Sequence, residues 1–268
     1  MASPLVTLVL PIYNMERFLR ESLLSIREQT FPNFEVISIL DGCTDRSEEI
    51  LNELKDERFI VFKKERNEGV GAATNLGLQK ARGEFFGRMD ADDVMDSERV
   101  RKEVEFLRAH PEIDIVGTWF DYIDDSGRTT KAAFPFPTVH EEIKDGFRVR
   151  NSIGGPTALY RTERIRALGG FASDISFAED LTIMLKCLAA GYRFANLPEV
   201  LYHYRQHAVQ LNRVRKHETL RNTDLAYQKY GPAIWGKDAP LMDLSAPLAV
   251  RVIGKFRRAW RRMMSATP

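Results

Sequence analysis

Four short apolar runs, at residues 5–10, 34–40, 59–62 and 84–89, alternate with segments whose apolar residues recur every three or four positions. This alternation restricts the fold more than any other feature of the chain. Short near-continuous apolar strands suit a sheet covered on both faces. Strands separated by helices must be joined by right-handed crossovers, which makes neighbours parallel. Met15, Phe18, Leu19, Leu23 and Ile26 mark one face of a first helix, and Ile50, Leu51 and Leu54 mark a second. Asp45 and Glu48 stand where they can cap the second. A short Ala-rich helix ending at Ala81 precedes the fourth run. The expected class is α/β, with a mostly parallel central sheet flanked by helices.

The fourth run ends in Asp90-Ala91-Asp92-Asp93. Alternate side chains of a strand point the same way, so Asp90 and Asp92 project together from its carboxyl end. Two such carboxylates repel unless a cation or a donor-rich ligand lies between them, and a hard divalent ion meets that need. The carboxyl ends of strands are also where open α/β sheets bind ligands. Taken alone, the tetrad reads equally as a solvated acidic loop capping the helix that starts near Ser97.

The 268 residues allow one large or two small domains, and a net charge of +1 makes no case for nucleic acid. Cys43 and Cys187 have no metal-ligand spacing and suggest no disulfide framework, so a reducing cytosol is the simplest compartment. The first strand has no basic region before it, which argues against a signal peptide. No apolar run approaches the roughly 18 residues of a spanning helix. Residues 1–95 and 96–215 read as two halves of one unit, and 216–268 as a helical extension. A helix over 97–109, a strand over 113–119 and a hairpin turn at 124–127 are expected in the second half. In the extension, 216–230 reads as helix and 231–245 as irregular. A last helix over 247–264 sets Val252, Phe256 and Trp260 against Arg251, Lys255, Arg258 and Arg262. Such a basic amphipathic helix lies on an anionic membrane or docks on the protein's own core.

From Leu8 to His207 the order of motifs resembles glycosyltransferase family 2, with its GT-A nucleotide-sugar fold. The elements are Pro11-Ile12-Tyr13-Asn14, Asp41-Gly42-Cys43-Thr44-Asp45, Asn67-Glu68-Gly69 with Asn75-Leu76-Gly77, Arg88-Met89-Asp90-Ala91-Asp92-Asp93, Gly169-Gly170-Phe171, Glu179-Asp180 and Tyr204-Arg205-Gln206-His207. Leu40 and Cys43 depart from an acidic residue and a Ser usual in the family, and Thr74 stands where an Arg is frequent.

The resemblance implies an inverting, metal-dependent hexosyltransferase using a nucleoside-diphosphate sugar, with a uridine-linked donor favoured. The acceptor would be a cell-surface glycan or its lipid-linked precursor. Pro11, Tyr13, Asp41, Asn75, Asp90 and Ala91 would bind the nucleotide, with Tyr13 stacking on the base and Asp41 accepting its ring N–H. Asp92 and His207 would hold Mn²⁺ or Mg²⁺ against the diphosphate. Glu179, Gly155 and Arg88 would meet donor or acceptor sugar. Asp180, opening a helix with Leu181, Met184, Leu185 and Leu188 on its apolar face, would be the catalytic base. A purely capping role for Glu179 and Asp180 fits the same position. The implied location is cytoplasmic, with peripheral contact at the inner face of the membrane through 247–264. A dinucleotide-dependent dehydrogenase is disfavoured, since no Gly-x-Gly-x-x-Gly follows the first strand. The competing class is a non-catalytic sugar-nucleotide or glycan-binding protein that retains the fold.

Overall fold

A computed structural model describes residues 3–133, 135–172, 175, 177–207, 216–236 and 239. The first apolar runs form β1 (Val6–Ile12), β2 (Phe34–Asp41), β3 (Phe59–Lys64) and β4 (Phe85–Arg88). They are joined by α1 (Leu19–Arg27), α2 (Ser47–Leu54) and α3 (Val70–Lys80). All four strands are mutually parallel, in the order β3-β2-β1-β4. Along β1, Leu8, Leu10 and Ile12 face one core layer and Val9 faces the other, as strand alternation requires. α3 lies close on β1 because Gly77 has no side chain; a Cβ there would sit 2.4 Å from a Val9 methyl.

The chain continues through β5 (Val94–Met95), α4 (Arg99–Ala109), β6 (Ile115–Ile123), β7 (Thr129–Lys131) and α5 (His140–Gly146). A single 3₁₀ turn at Gly155–Thr157 leads to β8 (Leu159–Arg161) and α6 (Thr162–Ala167). Then come α7 (Glu179–Ala189), β9 (Phe194–Arg205) and α8 (Lys216–Trp235). The full order is β3-β2-β1-β4-β8-β6-β9-β5, with β7 on the edge of β6, so one sheet runs through both halves. β8, β5 and β7 are antiparallel to their neighbours and β6 and β9 pair in parallel, which leaves most strands pointing one way. The hairpin at 124–127 forms between β6 and β7 as expected.

α8 corrects the expectation of irregular chain from residue 231. The helix runs through Gly231 and Pro232 to Trp235, because Tyr227 and Trp235 bury against the body of the protein. Packing there outweighs the hydrogen bond that proline removes. The amphipathic segment 247–264 lies outside the described residues. Among the described residues no helix is long and apolar enough to cross a membrane.

Candidate active site

β1, β2, β3, β4, β6 and β9 all present their carboxyl ends at one edge of the sheet, and the motif residues collect there. Beyond β1, Tyr13 is 44% exposed, so its ring is not part of the core. Asn14 takes a left-handed conformation (φ 52°), and its side-chain oxygen accepts the Thr44 N–H at 2.9 Å. The two loops exchange further bonds. The Glu16 N–H donates to Asp45 (2.9 Å), the Arg46 N–H to Glu16 (3.0 Å) and the Met15 N–H to Ser47 Oγ (2.8 Å). Asp45 also accepts the Ser47 N–H at 3.0 Å and so starts α2, whereas Glu48 pairs with Lys63 instead of capping. Pro11 lies within β1 beside Ile39, and Leu40 is a core residue.

Asp41 is buried at the end of β2. Its carboxylate accepts the Glu68 and Gly69 N–H groups (3.1 and 2.9 Å) and pairs with Lys64 Nζ at 2.7 Å. It therefore holds the Asn67–Gly69 loop against β2. A carboxylate has about four acceptor sites, so this role leaves room for one more donor. Gly42, at φ +71°, lets that loop approach; a Cβ there would fall 2.5 Å from the Asn67 nitrogen.

Asn75 differs from expectation. Its amide donates to the Phe171 carbonyl and accepts the Phe171 N–H, both at 2.9 Å, so it pins the loop ahead of α7 instead of presenting its amide to a nucleotide. Thr74, where an Arg is frequent in the family, is fully buried and donates to the Val70 carbonyl within its own helix.

The tetrad is clamped from β9. Asp93 is buried and accepts the Tyr202 hydroxyl (2.8 Å) and the Arg205 N–H (2.7 Å). Burial, with the Asp92 and Asp90 charges, raises the Asp93 carboxyl well above the carboxylate range, against the pull of these two donors. The Arg205 guanidinium, fully buried, donates to the carbonyls of Asp92 and Asp124 (each 2.7 Å) and pairs with Glu21 of α1. Ala91 is buried at the centre of this turn. Asp92 and His207 meet at 2.8 Å between Oδ2 and Nε2, and the His207 ring packs on Phe18.

A second buried cation lies behind Asp90. Arg88 ends β4, and its guanidinium pairs with Asp90 through Nε (2.9 Å) and with both Asp180 oxygens through Nη1 (2.7 Å) and Nη2 (2.9 Å). Burial works against the Arg88 charge, but Asp180 and Asp90 more than offset it and keep the guanidinium protonated. Burial pushes Asp90 up to about 6, with Asp180 and Asp92 adding to the rise and Arg88 opposing it. Asp180 lies against Gly155, where a Cβ would fall 2.1 Å from its carboxyl carbon. Glu179, raised by burial, accepts the Phe177 N–H at 2.9 Å and packs beside Gly71 of α3.

The arrangement thus joins donor-type chemistry at β1, β2 and β4 to a carboxylate on α7. Among the described residues no group of three His, Cys, Asp or Glu side chains forms a metal cage. The Asp92–His207 pair fits a different mode, in which a divalent ion takes one or two protein ligands and completes its shell with phosphate oxygens and water.

Residues 7–168, more than half of the chain, match the family model Glycosyl transferase family 2. The chain belongs to that family. An uncharacterized glycosyltransferase of Methanocaldococcus jannaschii is 32% identical over 209 residues, which cover 76% of this chain and 72% of the relative. The fold matches S. aureus TarS 1–349 in complex with UDP-GlcNAc, with a TM-score of 0.69 and 21% identity over 98% of this chain and 73% of that one. A longer TarS structure is spanned over 41% of its length. The fold also matches the mannosyltransferase PcManGT of Pyrobaculum calidifontis in complex with GDP-Man and Mn²⁺, with a TM-score of 0.67 and 22% identity over 99% and 80% of the two chains. The fold is therefore GT-A and the protein is a glycosyltransferase. Tyr202 and Arg205, which hold Asp93 and the turn of this family 2 site, have no role assigned from sequence, whereas Asp93 reads there as a support of the neighbouring carboxylates or a cap of the next helix. The available signal was the acidic and basic residues set among aromatics in each segment, since buried charges need partners.

Proposed function

We propose that this family 2 glycosyltransferase is an inverting, metal-dependent enzyme that moves a sugar from a uridine-linked donor to a hydroxyl of a surface glycan or lipid-linked glycan precursor. The observation that carries this reading is the meeting, at one sheet edge, of the Asp92–His207 pair and the Arg88-bridged carboxylates Asp90 and Asp180. Tyr13, exposed beside buried Asp41, suits a single-ring base with an acidic N–H. Asp90, half inside the site, would hydrogen-bond the ribose. A Mn²⁺ or Mg²⁺ ion held by Asp92 and His207 would supply Lewis-acid stabilisation of the diphosphate leaving group. Asp180 would accept the acceptor hydroxyl's proton while the hydroxyl oxygen bonds to the anomeric carbon and the bond from that carbon to phosphate breaks. Glu179 and the Gly155 backbone would flank the acceptor.

The two solved structures matched here hold a UDP-sugar in one case and GDP-Man with Mn²⁺ in the other, so the donor class and the use of a metal have support from the fold. A cytoplasmic site of action and membrane contact through 247–264 complete the proposal. The test is a panel of UDP-, GDP- and TDP-sugars screened for nucleotide release with Mn²⁺, with Mg²⁺ and with chelator. Release of UDP that requires metal and disappears in Asp92→Ala supports the reading. Undiminished release with chelator, or tighter binding of GDP than of UDP, overturns the corresponding part.

A further inference from the structure

We propose that Arg88 is the positioning residue for Asp180: a buried strut that sets the plane and place of the base relative to the donor-side carboxylate Asp90. This rests on the reading of Asp180 as the base.

Three observations carry it. First, Arg88 closes β4, a central strand paired with β1 and β8, so its backbone is among the least movable in the sheet. The side chain is only 5% exposed. Second, one planar guanidinium engages both Asp90, two residues on, and Asp180, 92 residues on. It grips Asp180 with a fork on both oxygens, at 2.7 and 2.9 Å, and meets Asp90 through Nε at 2.9 Å. A two-point fork fixes the carboxylate plane, which a single hydrogen bond does not. Third, the opposite side of Asp180 is closed by Gly155, where a Cβ would be 2.1 Å from the carboxyl carbon. Asp180 is therefore held between a cationic fork and a bare stretch of backbone. With one lone pair on each oxygen given to Arg88, each oxygen keeps one for an acceptor hydroxyl. Both carboxylates remain partly open to the cleft while the cation between them does not, at 25% and 31% against 5%. An ion pair serving the core alone would bury its anions too.

The Gly155 wall is itself supported from below. Arg99 is fully buried, donates to the Pro156 carbonyl at 2.8 Å and pairs with Glu103. Other charged or titratable groups acting on this cluster include Asp92, Asp93, Glu179, Tyr160 and Tyr202.

The experiment uses full-length protein with Arg88→Gln and Arg88→Lys, each alone and combined with Asp180→Asn, after melting curves have shown which variants fold. With the best donor from the nucleotide-sugar panel, Arg88→Gln should lower kcat by about 10–100-fold and shift the donor KM by less than about threefold. Such a split marks loss of an interaction made in the transition state. Arg88→Lys keeps charge without the fork and should recover part of the loss. In the Asp180→Asn background, Arg88→Gln should cost nothing further, since residues acting as a unit are not additive. Multiplicative losses in the double variant overturn the proposal, as does unchanged kcat in either single variant.

An arm without turnover reads Arg88 directly. Its guanidinium protons, followed by ¹⁵N NMR, should exchange at least tenfold faster in Asp180→Asn than in the parent. Equal exchange sinks the strut. If no nucleotide sugar is turned over yet exchange accelerates, the strut stands and the reading of Asp180 as a base falls.

Discussion

The loops at the ends of β1 and β2 and the turn at the end of β4 are joined to their neighbours by two different kinds of bond. The first two are zipped by neutral and peptide-to-carboxylate hydrogen bonds between residues about 30 apart, largely exposed, with Asn14, Asp45 and Ser47 as the teeth. The β4 turn is knotted by buried charges: Arg205 reaches back 113 residues to Asp92, and Asp93 accepts from Tyr202 and Arg205. Exposed hydrogen bonds contribute modestly, about 0.5–1.5 kcal/mol each, and can be lost one at a time. A buried charge that loses its partner costs about 3–5 kcal/mol. The bonds between the β1 and β2 loops can thus tolerate change, and the β4 turn is built to resist displacement.

The sharpest test of that contrast is chemical. Asp180→Asn should lower turnover by about 10²–10⁴, the scale of a lost acid–base group, while donor affinity changes only a few fold. Steady-state kinetics with calorimetry of the nucleotide checks both halves; unchanged turnover would reduce Asp180 to a helix cap.

Next comes stability. Arg205→Met removes a fully buried guanidinium that serves Asp92, Asp124 and Glu21 together, and it should cost about 3–5 kcal/mol in a urea titration. If it costs no more than a change in the exposed zipper, the distinction between the two regions fails.

A pH series then separates buried charge from exposed charge. Burial pushes Glu103 up from 4.5 to about 7, with Arg99 opposing. The folded state therefore binds a proton that the unfolded state has released. The stability this provides is complete below about pH 4.5 and is lost as pH rises through 7. Glu103→Gln should flatten that slope between pH 4.5 and 7, as measured by melting temperature. A slope unchanged in the variant would assign the proton elsewhere.

The smallest effect belongs to the zipper. Asn14→Ala should cost about 1–2 kcal/mol, from lost bonds to Thr44 and from a left-handed φ of 52°. Asn14→Gly, free of that strain, should cost less; the reverse order would show that the strain carries little.

The contrast also governs what was legible beforehand. β1–β4, α1 and α2 follow from apolar pattern, and α3 from an Ala-rich stretch, because each is a local signal. β5 and β8 are two and three residues long, too short to carry a period. β9 is interrupted by Pro198 and pairs with β6 through register shifts, so its pattern breaks where its partner bends. At the site, β4 ends at Arg88 and the Asp93 N–H turns back onto the Asp90 carbonyl, so strand alternation does not govern where Asp90 and Asp92 point, and Asp180 is implied by motif order alone. For Asn75 a motif position says nothing of which way an amide faces, and here both its ends meet the Phe171 backbone. Asp41 carries a second duty, holding Glu68 and Gly69, that only the folded loop reveals. The link from Arg88 to Asp180 depends on side chains 92 residues apart and had no local trace.

β9 follows the other strands in sequence, yet it lies inside the sheet, between β6 and β5. A ribosome releases the acidic turn 113 residues before the arginine that clamps it, an interval of roughly 5–20 s at ordinary rates of synthesis. During that time the nascent sheet must keep a slot open beside β6, and Asp93 has neither of its donors. The β4 turn therefore reaches its final form only after β9 has docked. A chain released early, before residue 205, would carry the β1 and β2 loops without the parts that hold the β4 turn.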